Sequence, residues 1–240
     1  MPQSNGDLSK YRRSQATSLL MSGGIDSAVL LDQLLGLNRL VIPIYVESGH
    51  LWQECELRAV RHFLSTLNRP NLAELIVLGM PLGDLHPDHW SISGEGVPDR
   101  FSPDEAVFIP GRNPLLLVKP MLWCQAHGVE QLALGTLTSN PFDDATPSFF
   151  ASFEEMLRLA TGSLVKIIRP FEELSKREVL QLGRHLPLEL TFSCLSPIDE
   201  LHCGACNKCA ERQLAFRTFS MKDRTTYSLP RITKERCELT

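Results

Sequence analysis

The stretch Ser22-Gly23-Gly24-Ile25-Asp26-Ser27 constrains the chain most, because it places two glycines where a strand is followed by a helix. Residues 16–21 are mostly apolar and have the length of a strand, and residues 28–35 form an apolar run that is typical of a helix ending at Gly36. Glycines let the backbone turn sharply and bring free N–H groups against an anion, to which a helix N-terminus adds partial positive charge. The sequence therefore predicts a phosphate-binding loop, in which Ser22 and Ser27 supply hydroxyl groups and Asp26 holds Mg²⁺ or caps the helix.

Two common nucleotide loops are excluded at this place. No Gly-Lys-Ser/Thr follows, as a Walker A loop requires, and the G-x-G-x-x-G spacing of the dinucleotide fingerprint is absent. An ordinary strand-to-helix turn with a Ser or Asp cap is the plain alternative. The string Ser22 to Ser27 resembles the pyrophosphate loop of the ATP pyrophosphatases, and that resemblance implies ATP, Mg²⁺ and the activation of a carbonyl or carboxylate by adenylation.

The chain after this loop alternates strand and helix patterns. Strands are predicted at residues 40–46, 75–79, 131–135 and 164–169, with helices at 51–67, 115–127 and 149–160, and a capping box, Ser175 to Glu178, opens one more helix. Such alternation predicts a parallel sheet covered by helices on both faces. Within residues 51–67, the side chains expected on the buried face are Val60, Phe63, Leu64 and Leu67. Pro43 is awkward in a central strand because it lacks an N–H donor.

Several candidate ligand groups follow the predicted strands, at the sheet edge where open α/β folds bind ligands. Glu47 begins the loop after the second strand, and the loop at residues 136–147 carries Asn140, Asp143 and Asp144. Arg112 stands just before a helix and is suited to clamp a phosphate or carboxylate, or else is a solvated turn residue. Lys176 in a first helical turn opposes the usual charge preference, so we expect it to serve an anion.

A second constraint is the pattern of cysteines near the carboxyl end. Two overlapping C-x-x-C steps and one upstream cysteine give four thiols, Cys194, Cys203, Cys206 and Cys209. Four thiolates suit a closed, structural zinc site, and a [4Fe–4S] cluster is the alternative. His202 is adjacent but is not expected to replace a cysteine. Of the seven cysteines, the other three, Cys55, Cys124 and Cys237, are expected to be ordinary thiols.

Length and charge limit the remaining classes of function. A chain of 240 residues suits one large domain with at most a small appendage, and its net charge of −4 gives no strong nucleic-acid footprint. Residues 1–15 contain no apolar core of a secretory signal, and no apolar run approaches the roughly 20 residues of a membrane helix. Clustered cysteines without a signal favour metal binding in a reducing cytoplasm.

Further motifs follow the phosphate loop in order. They are Pro110-x-Arg112-Asn113, Pro170-Phe171-x-x-Leu174-Ser175-Lys176-x-Glu178, Ser193-Cys194 with the three later cysteines, Arg212, and Ala215-Phe216. In this combination the chain resembles the QueC family of 7-cyano-7-deazaguanine synthases from about residue 17 to 219. The resemblance implies a Rossmann-like α/β fold of the adenine nucleotide alpha-hydrolase type, with a small zinc-binding element at its carboxyl end.

We expect the chain to divide into a leader (residues 1–15), an ATP-binding domain (16–190), a four-cysteine element (191–219) and a tail (220–240). The resemblance also implies roles for individual residues. ATP binds at Ser22, Gly23, Gly24, Asp26, Ser27 and Asn113; Asp26, Lys176 and Arg112 are catalytic; Asp144 binds the deazapurine; and Cys194, Cys203, Cys206 and Cys209 bind Zn²⁺. Glu47 is expected to bind the deazapurine as well, because it lies at the carboxyl end of the second predicted strand.

The implied reaction takes 7-carboxy-7-deazaguanine, ammonia and ATP with Mg²⁺ through an adenylated carboxylate and an amide to the nitrile. A homodimer is implied too, because the family is commonly dimeric. Two stretches depart from the family pattern, at residues 47–51 and 139–146, on the substrate side of the sheet. Three alternatives therefore stay open. The enzyme stops at the amide or joins the activated carboxylate to another amine, such as that of a protein; it is a tRNA-modifying sulfur transferase; or it is a zinc-ribbon interaction module without activity.

Overall fold

The computed structural model of the protein describes residues 16–138 and 140–229. The predicted leader, the end of the predicted tail and Cys237 lie outside these residues. Within the described part, no helix has the length and apolar character needed to span a membrane.

Five parallel strands form one sheet in the order β3-β2-β1-β4-β5. The strands are β1 (Ala16–Leu20), β2 (Leu40–Glu47), β3 (Ile76–Gly79), β4 (Gln131–Ala133) and β5 (Lys166–Ile168). The chain moves outward from β1 to β3, then returns to the other side of β1 for β4. The point where the strand order reverses therefore lies between β1 and β4, which is where open sheets of this kind place their ligand crevice.

Seven α-helices connect and extend the strands in the described part of the chain. They are α1 (Ile25–Gly36), α2 (Gln53–Thr66), α3 (Trp90–Ser93), α4 (Arg112–His127), α5 (Pro147–Thr161), α6 (Lys176–Leu182) and α7 (Asn207–Thr218). Short 3-10 turns lie at Asp104–Val107, Asp143–Ala145 and Leu188–Leu190.

Each face of the sheet carries its own apolar core. On one face, α1, α2, α6 and α7 pack around residues such as Leu19, Leu30 and Phe63. On the other face, α4 and α5 pack around residues such as Ile42 and Met121. The predicted α/β fold with helices on both faces is thereby confirmed, and the predicted core face of α2 is confirmed by the burial of Val60 and Phe63 and the packing of Leu64 and Leu67 against that core.

Helices α3 and α7 are not among the predicted elements, and two predicted helices begin about one turn earlier than expected. Helix α1 begins at Ile25 rather than at residue 28, and α4 begins at Arg112 rather than at residue 115. Both helices follow a glycine at the N-cap, Gly24 and Gly111. The apolar pattern alone does not reveal these first turns, because they contain polar residues that line the ligand crevice, namely Asp26, Ser27, Arg112 and Asn113.

Pro43 lies inside β2, between β1 and β3, where a missing donor is usually costly. The pairing with the β3 side is irregular at this place. Val41 pairs with Leu72, and the regular ladder resumes where Ile44 pairs with Ile76. The neighbouring segment therefore has one more residue than β2 between these two pairs. This interruption explains why a residue without an N–H group is accepted inside the sheet.

Gly183 lies at the carboxyl end of α6, where this helix packs closely against Val29 of α1. A methyl group added there would overlap Cγ2 of Val29, which is fully buried, although the backbone conformation of Gly183 (φ −86°) suits alanine. We expect Gly183→Ala to lower the free energy of unfolding by about 1–3 kcal/mol through overpacking. Gly36→Ala is the matched control, because nothing lies within 4 Å of its added carbon; it should be neutral or stabilise by up to about 1 kcal/mol. Urea unfolding measures both, and equal effects would contradict the packing of these helices.

Candidate active site and metal centre

A cavity of about 440 Å³ opens at the carboxyl edge of the sheet, beside the strand-order reversal. The phosphate loop forms one wall, and the segments after β2 and β4 form others. The chain after residue 190 closes the remaining side with Phe192, Leu195 and α7. Among the residues lining the cavity are Ser22, Gly24, Asp26, Ser27, Tyr45, Trp52, Glu56, Trp90, Arg112, Asn113, Gly135, Asn140, Lys176 and Arg212.

The phosphate loop is held in shape by its own serines. Ser27 Oγ donates to Gly24 O at 3.1 Å and accepts from the backbone N of Ser22 at 3.3 Å. Ser22 Oγ also donates to Ser27 Oγ at 3.3 Å. The first helical hydrogen bond of α1 runs from Ala28 N to Gly24 O, so the N–H groups of the first turn have no helical acceptor. These groups and the helix dipole form a site for an anion at the cavity wall.

Asp26 and Lys176 form the charged pair at this wall. Lys176 Nζ donates to both carboxylate oxygens of Asp26, at 2.8 and 2.9 Å, and each side chain is about one quarter exposed. Asp26 does not cap α1, because the N-cap is Gly24 and no side-chain cap is formed. The first turn of α6 thus places its lysine over the first turn of α1, where it can meet a phosphate or stabilise the aspartate.

Two glycines let other segments approach the loop closely. Gly23 has φ +71°, and a Cβ there would lie 2.5 Å from Cγ of Glu56 on α2. Gly135, which follows β4, would place a Cβ 3.2 Å from the carbonyl carbon of Asp26. Any larger residue at either position would push the loop away from its neighbours.

The amino end of α4 brings Arg112 and Asn113 to the cavity. The backbone N of Asn113 donates to Asp144 Oδ2 at 3.3 Å, and Asn113 Nδ2 donates to Asp144 Oδ1 at 3.0 Å and to Asp144 O at 3.1 Å. Asp144 therefore holds Asn113 and the start of α4 in place. Arg112 lines the cavity, and its buried Nε has no hydrogen-bond partner among the described residues. An unsatisfied buried donor of this kind is suited to an anionic ligand.

The floor of the cavity contains a carboxylic acid that the sequence analysis did not single out. Glu56 Oε2 accepts a hydrogen bond of 2.7 Å from the hydroxyl of Tyr45, which is buried in β2. Burial raises the pKa of Glu56 to about 7, although the Tyr45 hydrogen bond and the nearby Arg112 both oppose the shift. Glu56 precedes Val60 by one helical turn, so its position on the buried face was a signal available in the sequence.

Stacked aromatic rings line another side. The ring of His50 stacks on Trp52 with centroids 4.6 Å apart, and Trp52 stacks on Trp90 at 5.8 Å. His50 is buried, its ring nitrogens have no hydrogen-bond partner among the described residues, and burial together with Arg112 and two neighbouring histidines lowers its pKa to about 3. The imidazole is therefore neutral, and the wall offers flat, largely apolar surface to a planar ring.

The four cysteines of the predicted metal site come together. Cys194, Cys203, Cys206 and Cys209 are buried, and their sulfur atoms all lie within 4.8 Å of one another. Backbone N–H groups of Leu195, Cys203, Ala205 and Cys206 point at three of these sulfurs, at 3.2–3.4 Å. His202 turns away from this group, because its Nε2 accepts from the backbone N of Ser193 at 3.2 Å. The cluster can hold a metal ion with cysteine ligands alone.

The cysteine cluster is joined to the cavity through the backbone. Phe192 N donates to Gly23 O in the phosphate loop at 2.8 Å. Arg212 on α7 is buried and donates to Thr191 Oγ1 at 2.9 Å, as well as to Leu188 O and Thr225 Oγ1. Although Arg212 borders the cavity, its position is fixed by these bonds, and it serves to tie α7 to the segment before Cys194.

The structure separates the predicted site residues into two groups. Those that line the cavity are Ser22, Gly24, Asp26, Ser27, Arg112, Asn113 and Lys176. Three others, Gly23, Glu47 and Asp144, are not among its lining residues. Gly23 lies on the side of the loop that packs against Glu56, and Asp144 accepts hydrogen bonds from Asn113. Glu47 ends β2, and its carbonyl oxygen accepts from Met80 N at 2.7 Å. The sequence analysis does not single out Tyr45, Glu56, Trp52 and Trp90, which reach the cavity from β2, from the start of α2 and from the long segment between β3 and α4.

The chain is similar to known proteins over most of its length. The family model described as queuosine biosynthesis protein QueC matches residues 16–220. A 7-cyano-7-deazaguanine synthase of Desulfotalea psychrophila is 32% identical over 225 residues, covering 87% of this chain and 97% of that protein. One from Leptospira interrogans is 26% identical over 244 residues, covering 92% of this chain and 98% of that protein.

Among solved structures, the U34-tRNA thiolase NcsA from Methanococcus maripaludis with its [4Fe-4S] cluster superposes with a TM-score of 0.46 at 18% identity, covering 79% of this chain and 62% of that one. The family model spans nearly the whole described chain, including the phosphate loop, the cavity and the cysteine cluster. The protein therefore belongs to the QueC family.

Proposed function

We propose that this protein uses ATP to convert 7-carboxy-7-deazaguanine and ammonia into 7-cyano-7-deazaguanine, through an adenylated carboxylate and an amide. The observation that carries the proposal is the single cavity onto which a phosphate loop and an aromatic wall both open, in a chain of the QueC family. An adenylating enzyme needs its nucleotide and its acid in one crevice, because the acid must attack the α-phosphate directly.

ATP lies with its phosphates on the loop in this proposal. The N–H groups at the start of α1, the hydroxyl of Ser22 and the side chains of Lys176 and Arg112 surround the negative charge. Mg²⁺ at Asp26 neutralises the phosphates when bound, and the carboxylate of Asp26 is of the ligand type that Mg²⁺ prefers. Lys176 orients Asp26 and can reach the leaving pyrophosphate.

The deazapurine ring occupies the aromatic side of the cavity. Trp52 and Trp90 provide stacking surface, and the neutral His50 behind Trp52 keeps that surface in place. Asn113 lines the same cavity and is fixed by Asp144, so we assign Asp144 an indirect role in holding the substrate side. Glu47 is assigned to the substrate side only because it ends β2 at the carboxyl edge of the sheet.

Zinc is the metal that the cysteine cluster supports best. The sulfurs of Cys194 and Cys206, and those of Cys203 and Cys209, are 3.9 Å apart. Four thiolates at about 2.3 Å from one ion, in tetrahedral geometry, stand about 3.8 Å from each other. A [4Fe–4S] cluster binds each thiolate to a different iron and needs a wider spacing. A closed set of four ligands gives Zn²⁺ a structural role.

We also propose a division into domains, an oligomeric state and a cellular location. Residues 16–190 form the ATP-binding domain, and residues 191–219 form the zinc element that packs on it. A homodimer is expected from the family, and a location in the cytoplasm is expected from the clustered, metal-binding pattern of the cysteines. Light scattering of the purified protein tests the dimer.

The decisive experiment supplies the purified protein with 7-carboxy-7-deazaguanine, ATP, Mg²⁺ and ammonium. Mass spectrometry should detect the nitrile, with AMP and pyrophosphate released. An amide as the final product would show that the chemistry ends one step earlier. Absence of AMP formation with this acid, from folded and metal-loaded protein, would refute the assignment.

Removing the lysine of the charged pair should reduce adenylation. We expect Lys176→Gln to lower AMP formation by about 10²-fold, because preorganised charge at the transferring phosphoryl group is lost. Lys166→Gln is the control, since Lys166 pairs with Glu154 at 2.8 Å on the surface, outside the cavity lining. Rates from initial AMP release measure the effect, and similar rates for both variants would exclude a role of Lys176 in the reaction.

Loss of one cluster cysteine should remove the metal. We expect the wild type to carry about one zinc ion per chain and Cys209→Ser to lose it, with a lower melting temperature, because three thiolates leave a structural site incomplete. Cys55→Ser should keep the zinc, since Cys55 is free and does not belong to the cluster. Elemental analysis of the two variants gives the result, and a Cys209→Ser protein that retains zinc would contradict this ligand set.

A further inference from the structure

Four carboxylates line the cavity within the described part of the chain, and one differs from the rest in its surroundings. Asp26 is paired with Lys176, and Glu211 with Lys208. Asp104 is exposed and lies 3.4 Å from the side-chain amide of Asn207. The remaining carboxylate, that of Glu56, has a neutral hydroxyl, that of Tyr45, as its hydrogen-bond donor. Asp26 and Glu211 therefore have cationic partners and Asp104 is exposed to solvent, whereas Glu56 combines a position on the cavity floor with a neutral hydrogen-bond donor.

The surroundings of Glu56 come from three elements. Tyr45 reaches it from β2, Gly23 lies over its Cγ from the phosphate loop, and Arg112 approaches from the start of α4. The carboxyl group therefore lies beneath the loop that is proposed to hold the phosphates, and it lines the same cavity as Trp52 and Trp90, which are proposed to hold the deazapurine. The Tyr45 hydrogen bond, to Oε2, fixes one carboxylate oxygen.

The charge balance at Glu56 suits proton transfer near neutral pH. Burial disfavours the ionised form, while Arg112 and the tyrosine hydroxyl favour it, and the resulting pKa is about 7. General bases work best when their pKa lies near the pH of operation. A carboxyl group of ordinary acidity would accept a proton from ammonium much less readily.

We propose that Glu56 is the general base that turns ammonium into the ammonia nucleophile for attack on the adenylated carboxylate. This inference rests on the proposed function. One proton of ammonium passes to the Glu56 carboxylate, and the freed lone pair forms the C–N bond with the acyl carbon. The bond from that carbon to the phosphate oxygen breaks, and AMP leaves with the electron pair. The attached nitrogen then loses its surplus proton to water, as does Glu56, which leaves the amide.

A purely structural role is the rival explanation, with Glu56 and Tyr45 acting only as a support under Gly23. Glu56→Gln separates the two roles. The glutamine side chain fills the same space below Gly23, and its amide oxygen still accepts from the Tyr45 hydroxyl. An amide does not take up a proton near neutral pH, so the variant lacks the base. Glu54→Gln is the matched control, because Glu54 lies in the same first turn of α2 and is exposed.

The test compares ammonium with hydroxylamine, which is unprotonated at neutral pH and needs no base. With 7-carboxy-7-deazaguanine and ATP, Glu56→Gln should lower amide formation from ammonium at pH 7 by about 10²–10⁴-fold. Hydroxamate formation from hydroxylamine, and exchange of pyrophosphate into ATP, should stay within a few-fold of the wild type. Glu54→Gln should leave all three rates unchanged.

The pH profile provides a second readout. The ammonium-dependent rate of the wild type should level off above about pH 7, where Glu56 is ionised. That of Glu56→Gln should keep rising with the fraction of free ammonia, so that the variant recovers at high pH. Equal losses with both nucleophiles, or a raised KM for the acid alone, would overturn the proposal in favour of a supporting or recognition role. Unchanged ammonium rates would overturn it too, and a wild type that forms no AMP would refute the proposed function itself.

Discussion

The close approach of Gly23 to its neighbours is the constraint on which the site depends. Its left-handed backbone (φ +71°) brings the phosphate loop down onto Glu56 of α2, and its carbonyl accepts from Phe192 N in the segment that leads to Cys194. One residue without a side chain thus joins the first strand-to-helix turn, the second helix and the metal-binding element. The loop cannot move away from the cavity without breaking contacts to both.

The cysteine cluster extends this arrangement to the far side of the cavity. Cys206 forms an antiparallel bridge with Asp99, and Asn207 donates to Pro98 O at 2.9 Å and through its side chain to Ser102 O at 2.9 Å. These bonds hold the long segment between β3 and α4, which has little regular structure of its own. A metal ion at the four sulfurs would therefore stabilise a wall of the cavity, although its closed ligand set gives it no open position for substrate.

The amino end of α4 shows how far sequence reasoning reached and where it stopped. The pattern of apolar residues gave the helix body, and Arg112 and Asn113 were correctly placed near its start. The sequence did not reveal that Asp144, 31 positions later, caps this helix through the backbone N of Asn113. A side-chain cap from a distant loop leaves no periodic signal, so the sequence does not reveal the contact between Asp144 and Asn113.

The sequence by itself determined the features that depend on neighbouring residues. The phosphate loop, the alternation of strands and helices, the capping box at Ser175 and the four-cysteine pattern are all local, because glycine conformations, helix caps and ligand spacing act over a few positions. Only the tertiary structure decided that Tyr45, Glu56, Trp52 and Trp90 meet at one cavity. Their convergence depends on the strand order and on the path of the loop after β3. The pKa of Glu56 is raised by burial, and burial requires several segments of the chain to pack together.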